Sequence, residues 1–292
     1  MSNALEVFEE HRRLLFGVAY RILGSVVEAE DVVQEAWLRW DRAERRGVDA
    51  PKAYLVRIAT RLALDQRERT RTARETYVGP WLPEPLVTGP DVADRVASDE
   101  AVSMAVLVVL ETLSPLERAV FVLHEVFGFS YPETGEALGR SEQAVRQLGH
   151  RAREHVQARR PRFQPDRDVR RAATERFLHA SMGGDLVALL EVLSPDVTLI
   201  TDGGGKIRAP RRPISGADKV GRLFATAAER TPAGTEFRFV DMNGEPAAVA
   251  TLGGTPYAVF IVDVHPRSGR IDTIHLIGNP DKLTKISVPR ES

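Results

Sequence analysis

Residues 114–156 read SPLERAVFVLHEVFGFSYPETGEALGRSEQAVRQLGHRAREHV, and this stretch decides the predicted fold of the N-terminal part of the chain. Apolar side chains recur at helical spacing and predict an amphipathic helix that Gly128 ends. A second, short helix follows and closes in a tight turn at Gly139. Ser141 is a good N-cap for a last helix that runs to about Val156. Two helices joined by a turn with glycine are typical of a helix-turn-helix.

The last of these helices has one apolar face and one polar, basic face. The predicted inward residues are Val145, Leu148, Ala152 and Val156, and the outward residues are Gln143, Arg146, Gln147, His150 and Arg151. Arginine reads guanine and glutamine reads adenine in the major groove. Seven arginines and two acidic residues lie between Arg140 and Arg162, so positive charge is concentrated where phosphates would lie. We therefore expect binding to double-stranded DNA; the alternative is a helical bundle whose last helix is only solvated.

Composition narrows the class of protein. A chain of 292 residues favours two or three domains. It has no cysteine, which excludes disulfides, thiol catalysis and cysteine-ligated zinc and fits a reducing cytoplasm. No apolar run approaches the ~20 residues that span a bilayer, and the N-terminus lacks a signal-peptide core. We expect a cytoplasmic protein without a membrane segment.

Residues 4–74 predict a bundle of helices with two contrasting surfaces. In the helix at 28–40, the outward residues are Asp31, Gln34, Glu35 and Leu38, an acidic face that includes one apolar side chain. A simple solvated face is the alternative there. Pro51 suits the first position of a third helix. Its outer face and extension are basic and carry Arg57, Arg61, Asp65, Arg67, Glu68, Arg69, Arg71 and Arg74.

Together these helices resemble the two helical domains of extracytoplasmic-function sigma factors, members of the sigma-70 family. AEDVVQEAWLRW (residues 29–40) resembles the region 2 helix that binds the clamp helices of the RNA polymerase beta-prime subunit. That resemblance implies polymerase contacts at Asp31, Gln34, Glu35 and Leu38. YLVRIATRLALDQRERTRTARE (residues 54–75) resembles the helix that melts and reads the minus-10 element. It implies DNA contacts at Arg57, Arg61, Asp65, Arg67 and Arg69.

Residues 114–156 resemble region 4, which reads the minus-35 element. The family's recognition helix has the pattern V-R-S-R-I-x-R-A-R, and this chain has VRQLGHRAR instead. Leu148 and Gly149 stand where arginine and an aliphatic residue are common, and glycine inside a helix costs about 1 kcal/mol relative to alanine. Gln147 and His150 are therefore candidates to replace the usual readers.

Two proline-rich segments divide the chain, and the fold changes after the second. Residues 75–100 have little helix propensity, yet Trp81 and Leu82 are too apolar for a free segment, so we expect them to dock. After 158–168, helices near 168–182, 186–193 and 216–229 accompany strands at 197–201, 236–242, 247–252, 257–264 and 271–278. This order predicts an α+β cone with a curved antiparallel sheet, and it resembles the SnoaL-like or nuclear-transport-factor-2-like fold.

Three separated strings strengthen the resemblance to one sigma-factor group, which carries a SnoaL-like C-terminal extension. They are WLPEP, DGGGK and NPDKL. The resemblance implies that this extension acts on the sigma domains in cis, and it implies no dedicated anti-sigma protein. The regulatory residues so implied are Trp81, Leu82, Pro83, Glu84, Pro85, Asp202, Gly203, Gly204, Gly205, Lys206, Asn279, Pro280, Asp281, Lys282 and Leu283. We expect the linker to pack on the cone near the other two strings.

The cone also has candidates for acid–base chemistry: Asp202, Asp263, His265 and His275. The favoured interpretation is that these are ordinary polar residues without a catalytic role, because Asp263 and His265 lie at a strand end where polar residues are common. DGGGK lacks the spacing of a phosphate-binding loop, and no spacing indicates a metal site. We predict no catalysis, metal or cofactor, while a small ligand of the cone stays open.

The sequence thus predicts a sigma factor with four segments: region 2 at 1–75, a linker at 76–100, region 4 at 101–160 and the cone at 166–285. Its partners would be core RNA polymerase and double-stranded promoter DNA. The alternative is a one-component helix-turn-helix regulator with a ligand-sensing cone. A third possibility, an enzyme built on the cone, would require turnover by the C-terminal fragment.

Overall fold

The computed structural model describes residues 4–43, 48–88, 102–159 and 166–287. The chain divides into two units. One, the helical unit, holds Met1–Glu75 with Arg95–Arg160; the other, the cone unit, holds Thr76–Asp94 with Pro161–Ser292. The two predicted sigma regions therefore belong to one unit, and the linker groups with the cone. None of the helices in these described stretches is long and apolar enough to cross a membrane.

The helical unit is built on two long helices that pack against a third. Its helices are α1 (Ala4–Leu23), α2 (Val26–Arg42), α3 (Pro51–Arg69), α4 (Arg71–Glu75), α5 (Met104–Glu111), α6 (Pro115–Phe121), α7 (Tyr131–Leu138) and α8 (Glu142–Arg159). Helix α1 packs on α2 and α3, and α3 also packs on α7. Fully buried apolar side chains such as Leu15, Ile22 and Leu55 form the core of this packing.

The helix-turn-helix of α7 and α8 has the predicted signals. Ser130 and Glu133 form a capping box at the start of α7, in which each side chain bonds the other residue's backbone N–H. Gly139 has φ 63°, so it closes α7 in the left-handed conformation that glycine adopts without strain. The preceding helix differs from the prediction. It turns π-helical over Val122–Val126, just after α6, where the apolar spacing alone predicts one regular helix.

The cone unit is a mixed sheet with helices packed against it. Its elements are α9 (Arg167–Met182), α10 (Leu186–Val192), β1 (Leu193–Asp202), β2 (Ile214–Ser215), α11 (Ala217–Ala228), β3 (Thr235–Met242), β4 (Glu245–Leu252), β5 (Thr255–Val264) and β6 (Ile271–Ile277). The strand order is β2-β1-β6-β5-β4-β3. Phe177 of α9 and Phe224 of α11 meet edge to face, 4.8 Å apart, in the core that these helices share with the strands.

Two features of the sheet differ from the prediction. The sheet is not wholly antiparallel, because β1 and β6 pair in parallel. A long connection through the rest of the sheet separates these two strands in the chain, so no hairpin forces them antiparallel. The short strand β2 was not predicted, since two residues carry no periodic signal.

Candidate functional site

The outward face of α2 presents the four residues predicted to bind polymerase. Asp31, Gln34 and Leu38 are exposed and Glu35 is half-buried. Leu38 keeps 39% of its surface exposed, which is notable for a large apolar side chain on an acidic face. Glu35 accepts a hydrogen bond from Arg39 at 2.9 Å, one turn along the helix. On the opposite face of the helix, residues such as Val32 and Ala36 are buried. The helix therefore has one core face and one solvent-exposed face.

The basic residues predicted to read the minus-10 element are divided by the structure. Arg61, Asp65 and Arg69 are exposed. Arg57 is half-buried: it lies 3.5 Å from Glu136 of α7, and its guanidinium is 5.1 Å from the centre of the Tyr54 ring. Helix α7 therefore covers part of the surface that α3 would present to DNA.

Arg67, the fifth predicted minus-10 residue, is buried in an ionic cluster around Glu111. Only 8% of Arg67 is exposed. Its guanidinium donates to Glu111 at 3.1 Å, and Arg74 donates to the same oxygen at 3.2 Å. Arg118, which is wholly buried, donates to the other oxygen of Glu111. In this structure Arg67 thus has a structural role and presents no free surface to DNA.

The same three arginines also satisfy the end of α1. Arg118 donates to the carbonyl of Arg21, Arg67 to that of Ile22 and Arg74 to that of Leu23. Carbonyls at a helix C-terminus lack partners within the helix and attract cations. Burial alone would raise the pKa of the Glu111 carboxyl, but the facing guanidiniums bring it below its ordinary value. Burial lowers the pKa of Arg118 to about 10, so both Glu111 and Arg118 stay charged near neutral pH.

The exposed face of α8 carries all five residues predicted to read the minus-35 element. They are Gln143, Arg146, Gln147, His150 and Arg151. Arg146 pairs with Glu142 at 2.5 Å, one turn away, and Arg151 pairs with Glu117 at 3.3 Å. Both arginine side chains remain more than 60% exposed, so their guanidinium groups can still reach a ligand.

The buried face of α8 differs from the prediction at one position. Val145, Ala152 and Val156 are buried as predicted, but Leu148 is only half-buried and Gly149 is buried instead. A methyl group at Gly149 would lie 3.4 Å from both Val120 and the Tyr131 ring. The apolar pattern favoured Leu148 because glycine has no side chain to contribute to it. Tyr131 occupies the space that an aliphatic residue at 149 would fill.

The three strings predicted to have a regulatory role meet within the cone unit. We call the meeting point the linker junction; it consists of Tyr77, Trp81, Leu82, Asp202, Asn279 and Lys282. The Asp202 carboxylate, fully buried, accepts from the Tyr77 hydroxyl at 2.6 Å and from the Leu82 amide at 2.8 Å. It also pairs with the Lys282 ammonium at 2.7 Å. Burial and the bond to Asp202 raise the pKa of Tyr77, so this hydroxyl remains a donor.

Lys282 joins the C-terminal string to the linker by two further contacts. Its ammonium donates to the carbonyl of Leu82 and lies 3.8 Å from the centre of the Trp81 ring. A desolvated cation–π contact of this kind is worth ~2 kcal/mol. Pro83 and Pro85 are buried, as is Leu283, while Glu84 is half-buried. The predicted docking of Trp81 and Leu82 on the cone is therefore present in this structure.

The glycine loop fits against the C-terminal string, and glycine is required there. Gly204 has φ 59°, and a Cβ on it would lie 2.5 Å from the amide of Asn279. Asn279 in turn donates to the Tyr77 hydroxyl at 2.7 Å. Lys206 pairs with Asp281 at 2.5 Å on the exposed side of the same contact. Gly203 and Gly205 also lie in this loop, and Pro280 begins the short helical turn that contains Asp281 and Lys282.

Further along, the linker pairs with the edge of the sheet at a single bridge. Val87 forms an antiparallel bridge with Met242 of β3. The Thr88 amide donates to the carbonyl of Asp241 at 2.7 Å, and the Asn243 amide donates to that of Leu86 at 2.8 Å. Backbone pairing at an exposed edge is a recognised way to bind an extended segment. This pairing was not predicted, since the segment has no period-2 pattern.

Of the four candidates for acid–base chemistry, only Asp263 and His275 lie together. Asp202 belongs to the linker junction, and His265 accepts the backbone N–H groups of Arg267 and Ser268 in a turn. Asp263 and His275 lie 3.8 Å apart; His275 is buried, and Asp263 keeps 15% of its side chain exposed. Burial raises the pKa of Asp263 to about 7 and lowers that of His275 to about 4. In the described part of the chain, no group of three or more acidic or histidine side chains is arranged to hold a metal ion.

Comparison with known proteins identifies the family of the two helical regions. The Sigma-70 region 2 model matches residues 7–73, and the Sigma-70, region 4 model matches residues 103–156. The ECF RNA polymerase sigma factor SigJ of Mycobacterium tuberculosis is 40% identical over 95% of this chain and 92% of its own length. The probable ECF sigma factor SigI of the same species is 35% identical over 94% and 92%. The SigJ crystal structure superposes with a TM-score of 0.74 at 37% identity, covering 96% of this chain and 98% of that one.

Proposed function

Because the chain belongs to the extracytoplasmic-function sigma factors, which direct core RNA polymerase to promoters for transcription initiation, we propose that its cone unit regulates this activity in cis. The linker junction is the observation that carries the proposal. The linker joins region 2 to region 4 in sequence, and its Tyr77, Trp81 and Leu82 are held by Asp202 and Lys282 of the cone. A contact that holds the connection between the two regions favours some arrangements of them over others.

Core polymerase would bind the exposed face of α2. The residues involved are Asp31, Gln34, Glu35 and Leu38, and the partner surface is that of the beta-prime clamp helices. An acidic face with one exposed leucine suits a basic partner helix with an apolar contact at its centre. A one-component regulator would have no use for such a face, which disfavours that alternative.

Promoter DNA would bind α3 and α8. On α3 the candidates are Arg57, Arg61, Asp65, Arg67 and Arg69, and on α8 they are Gln143, Arg146, Gln147, His150 and Arg151. Helix α7 lies on α3, and Glu111 holds Arg67. We infer that minus-10 recognition requires the two regions to separate, which would uncover α3 and release Arg67. The structure then represents a state that does not engage the minus-10 element.

The cone would take the place of a separate anti-sigma protein. The linker is anchored by residues of the same chain, so a partner is not needed to hold it. The cone has no role as an enzyme in this proposal, because Asp202 is committed to the linker and His265 to a turn. A small ligand that bound near the linker junction would shift its population, and the protein would act in the cytoplasm.

Run-off transcription with purified core polymerase tests the proposal. Asp202→Asn keeps the shape of the side chain but removes the charge that pairs with Lys282. We expect promoter output to increase, while polymerase pull-down is unchanged. Asp218→Asn, at an exposed ion pair on α11, is the matched control and should behave as the unaltered chain. If Asp202→Asn and Asp218→Asn transcribe equally, regulation through the linker junction is wrong.

A further inference from the structure

The recognition helix α8 has an anomaly at Gly149, and its neighbours indicate a purpose for it. Arg146, Gly149 and Arg153 follow one another at three- and four-residue spacing, so they share one stripe of the helix. Glycine at the middle position leaves a gap between the two arginines. Tyr131, the first residue of α7, lies in this gap with its ring edge against Gly149. The aromatic side chain thus comes from the other helix of the motif.

Contacts on several sides hold the Tyr131 ring in place. His124 stacks on it with ring centres 3.9 Å apart and an angle of 24° between the planes. Arg153 donates to the Tyr131 hydroxyl at 3.3 Å and also pairs with Glu125. His124 and Glu125 both belong to the π-helical turn after α6. Such turns insert one residue into a helix and are frequent at functional sites.

The held ring lies beneath the Arg146 guanidinium. The central carbon of that group is 5.2 Å from the ring centre, which is within the range of a cation–π contact. Glu142 pairs with Arg146 from the helix side. Arg146 nevertheless keeps 62% of its side chain exposed. The guanidinium is therefore restricted in direction but open toward solvent, as a side chain that must meet a base edge should be.

We propose that Tyr131 is a specificity-determining positioning residue for minus-35 recognition: seated in the space left by Gly149, it fixes the direction in which Arg146 reaches the bases. This inference rests on the proposed reading of the minus-35 element by α8. The family pattern has an arginine at 148, where this chain has Leu148. A better-ordered Arg146 would make up for that missing arginine. An Arg146 without its ring would sample more rotamers and discriminate less between bases.

The test is a discrimination ratio, measured as run-off transcription by reconstituted holoenzyme. The ratio compares a promoter with an intact minus-35 element against the same promoter with that element replaced. Tyr131→Leu should lower the ratio about two- to fivefold, the value of one exposed cation–π contact. Tyr131→Phe keeps the ring and should keep the ratio. A ring with a purely structural role would change total output equally on both promoters.

A double-variant cycle separates positioning from general damage. Tyr131→Leu should add nothing further to Arg146→Ala, because the ring then has no guanidinium to direct. With Arg151→Ala, whose side chain pairs with Glu117 instead, Tyr131→Leu should add its full effect. Gly149→Leu should also lower the ratio by displacing the ring, and it does so without loss of helix propensity.

The outcomes distinguish the two levels of the inference. If Arg146→Ala leaves the ratio unchanged, direct reading by α8 at this position is wrong, and the role of Tyr131 falls with it. If Arg146→Ala lowers the ratio while Tyr131→Leu and Gly149→Leu do not, the positioning role alone is overturned. Thermal unfolding of each variant checks that a lowered ratio comes from a folded protein.

Discussion

Asp263 makes the stability of the cone unit depend on pH. Burial raises the pKa of this carboxyl group to about 7, with Arg170 opposing the shift and Asp272 adding to it. Between its ordinary value and pH 7, the folded chain keeps a proton that the unfolded chain has lost. The free energy of unfolding therefore falls as pH rises through this window. His275, whose pKa is lowered to about 4, acts in the opposite direction below its ordinary value.

Asp263→Asn should therefore raise the melting temperature at pH 8 by more than it does at pH 5. At pH 8 the natural side chain is ionised and carries a penalty of about 4 kcal/mol, which the amide avoids. Thermal unfolding at both pH values measures the difference. His275→Gln is the matched comparison, and its relative gain should be larger at pH 5. Equal shifts of Asp263→Asn at the two pH values would contradict a buried, protonated Asp263.

Glu111 of region 4 pairs with Arg67 and Arg74 of region 2 and so joins the two regions. Glu111→Gln would leave Arg67, Arg74 and Arg118 near one another without a carboxylate. Removing one partner of a buried ionic group typically costs about 3–5 kcal/mol. We expect a clear loss in the urea midpoint of the helical unit. Glu9→Gln, at an exposed pair with Arg12, should lower the free energy of unfolding by less than about 1 kcal/mol. A similar loss in both variants would contradict the role of the cluster.

Sequence patterns reveal single residues only when their surroundings are local. The exposed face at Asp31 and Glu35 follows from helical spacing within α2, and the prediction of an outward face is confirmed. Arg67 also has outward spacing in α3, yet Glu111 covers it from a distant part of the chain. No local pattern encodes that pairing, so the burial of Arg67 could not be predicted.

At the scale of elements, α2 is the clearest target for a loss of polymerase binding. Asp31→Arg with Glu35→Arg reverses the charge of its exposed face, and we expect pull-down of core polymerase to be lost. The control pair, Glu9→Arg with Glu10→Arg, makes the same change in net charge on exposed positions of α1. Circular dichroism should be unchanged in both. Retained pull-down by the α2 variant would move the polymerase contact elsewhere.

Elements with strong periodicity were predictable, and those set by partners were not. The three cone helices and the five longer strands lie within a few residues of their predicted positions. The parallel pairing of β1 with β6 and the bridge of Val87 to Met242 each depend on a neighbour distant in sequence. Gly149 was predicted as a defect in α8 because the ring that fills its place belongs to α7.

For the whole molecule, the linker and the C-terminal string should act as one switch. Trp81→Ala removes the ring under Lys282, and deletion from Asn279 onward removes Lys282 itself. We expect both variants to change promoter output in the same direction, which should be an increase, with core binding retained. Because they disrupt the same contact, the combined variant should equal the stronger single one. Run-off transcription on the three variants decides this, and full additivity would separate the linker from the string.

At this scale the resemblance predicted more than periodicity could. Three short strings far apart in the chain were expected to meet, and they do meet at Asp202. The bonds by which they meet, such as that of Lys282 to the Leu82 carbonyl, were not predictable, because polar pairing leaves no trace in spacing. The close packing of region 2 on region 4 was also not predicted, since each region has a complete apolar pattern of its own.

The docked linker has a consequence for the promoters that this protein can use. A free chain from Thr76 to Ser103 could stretch to roughly 90 Å. With the linker held on the cone from Tyr77 to Thr88, only the residues between Thr88 and Ser103 can still extend, and they span at most about 50 Å. Each added base pair of spacer moves the two promoter elements about 3.4 Å further apart. Docking therefore limits how far regions 2 and 4 can move apart. On a series of promoters with lengthened spacers, output from the natural chain should fail earlier than output from Trp81→Ala.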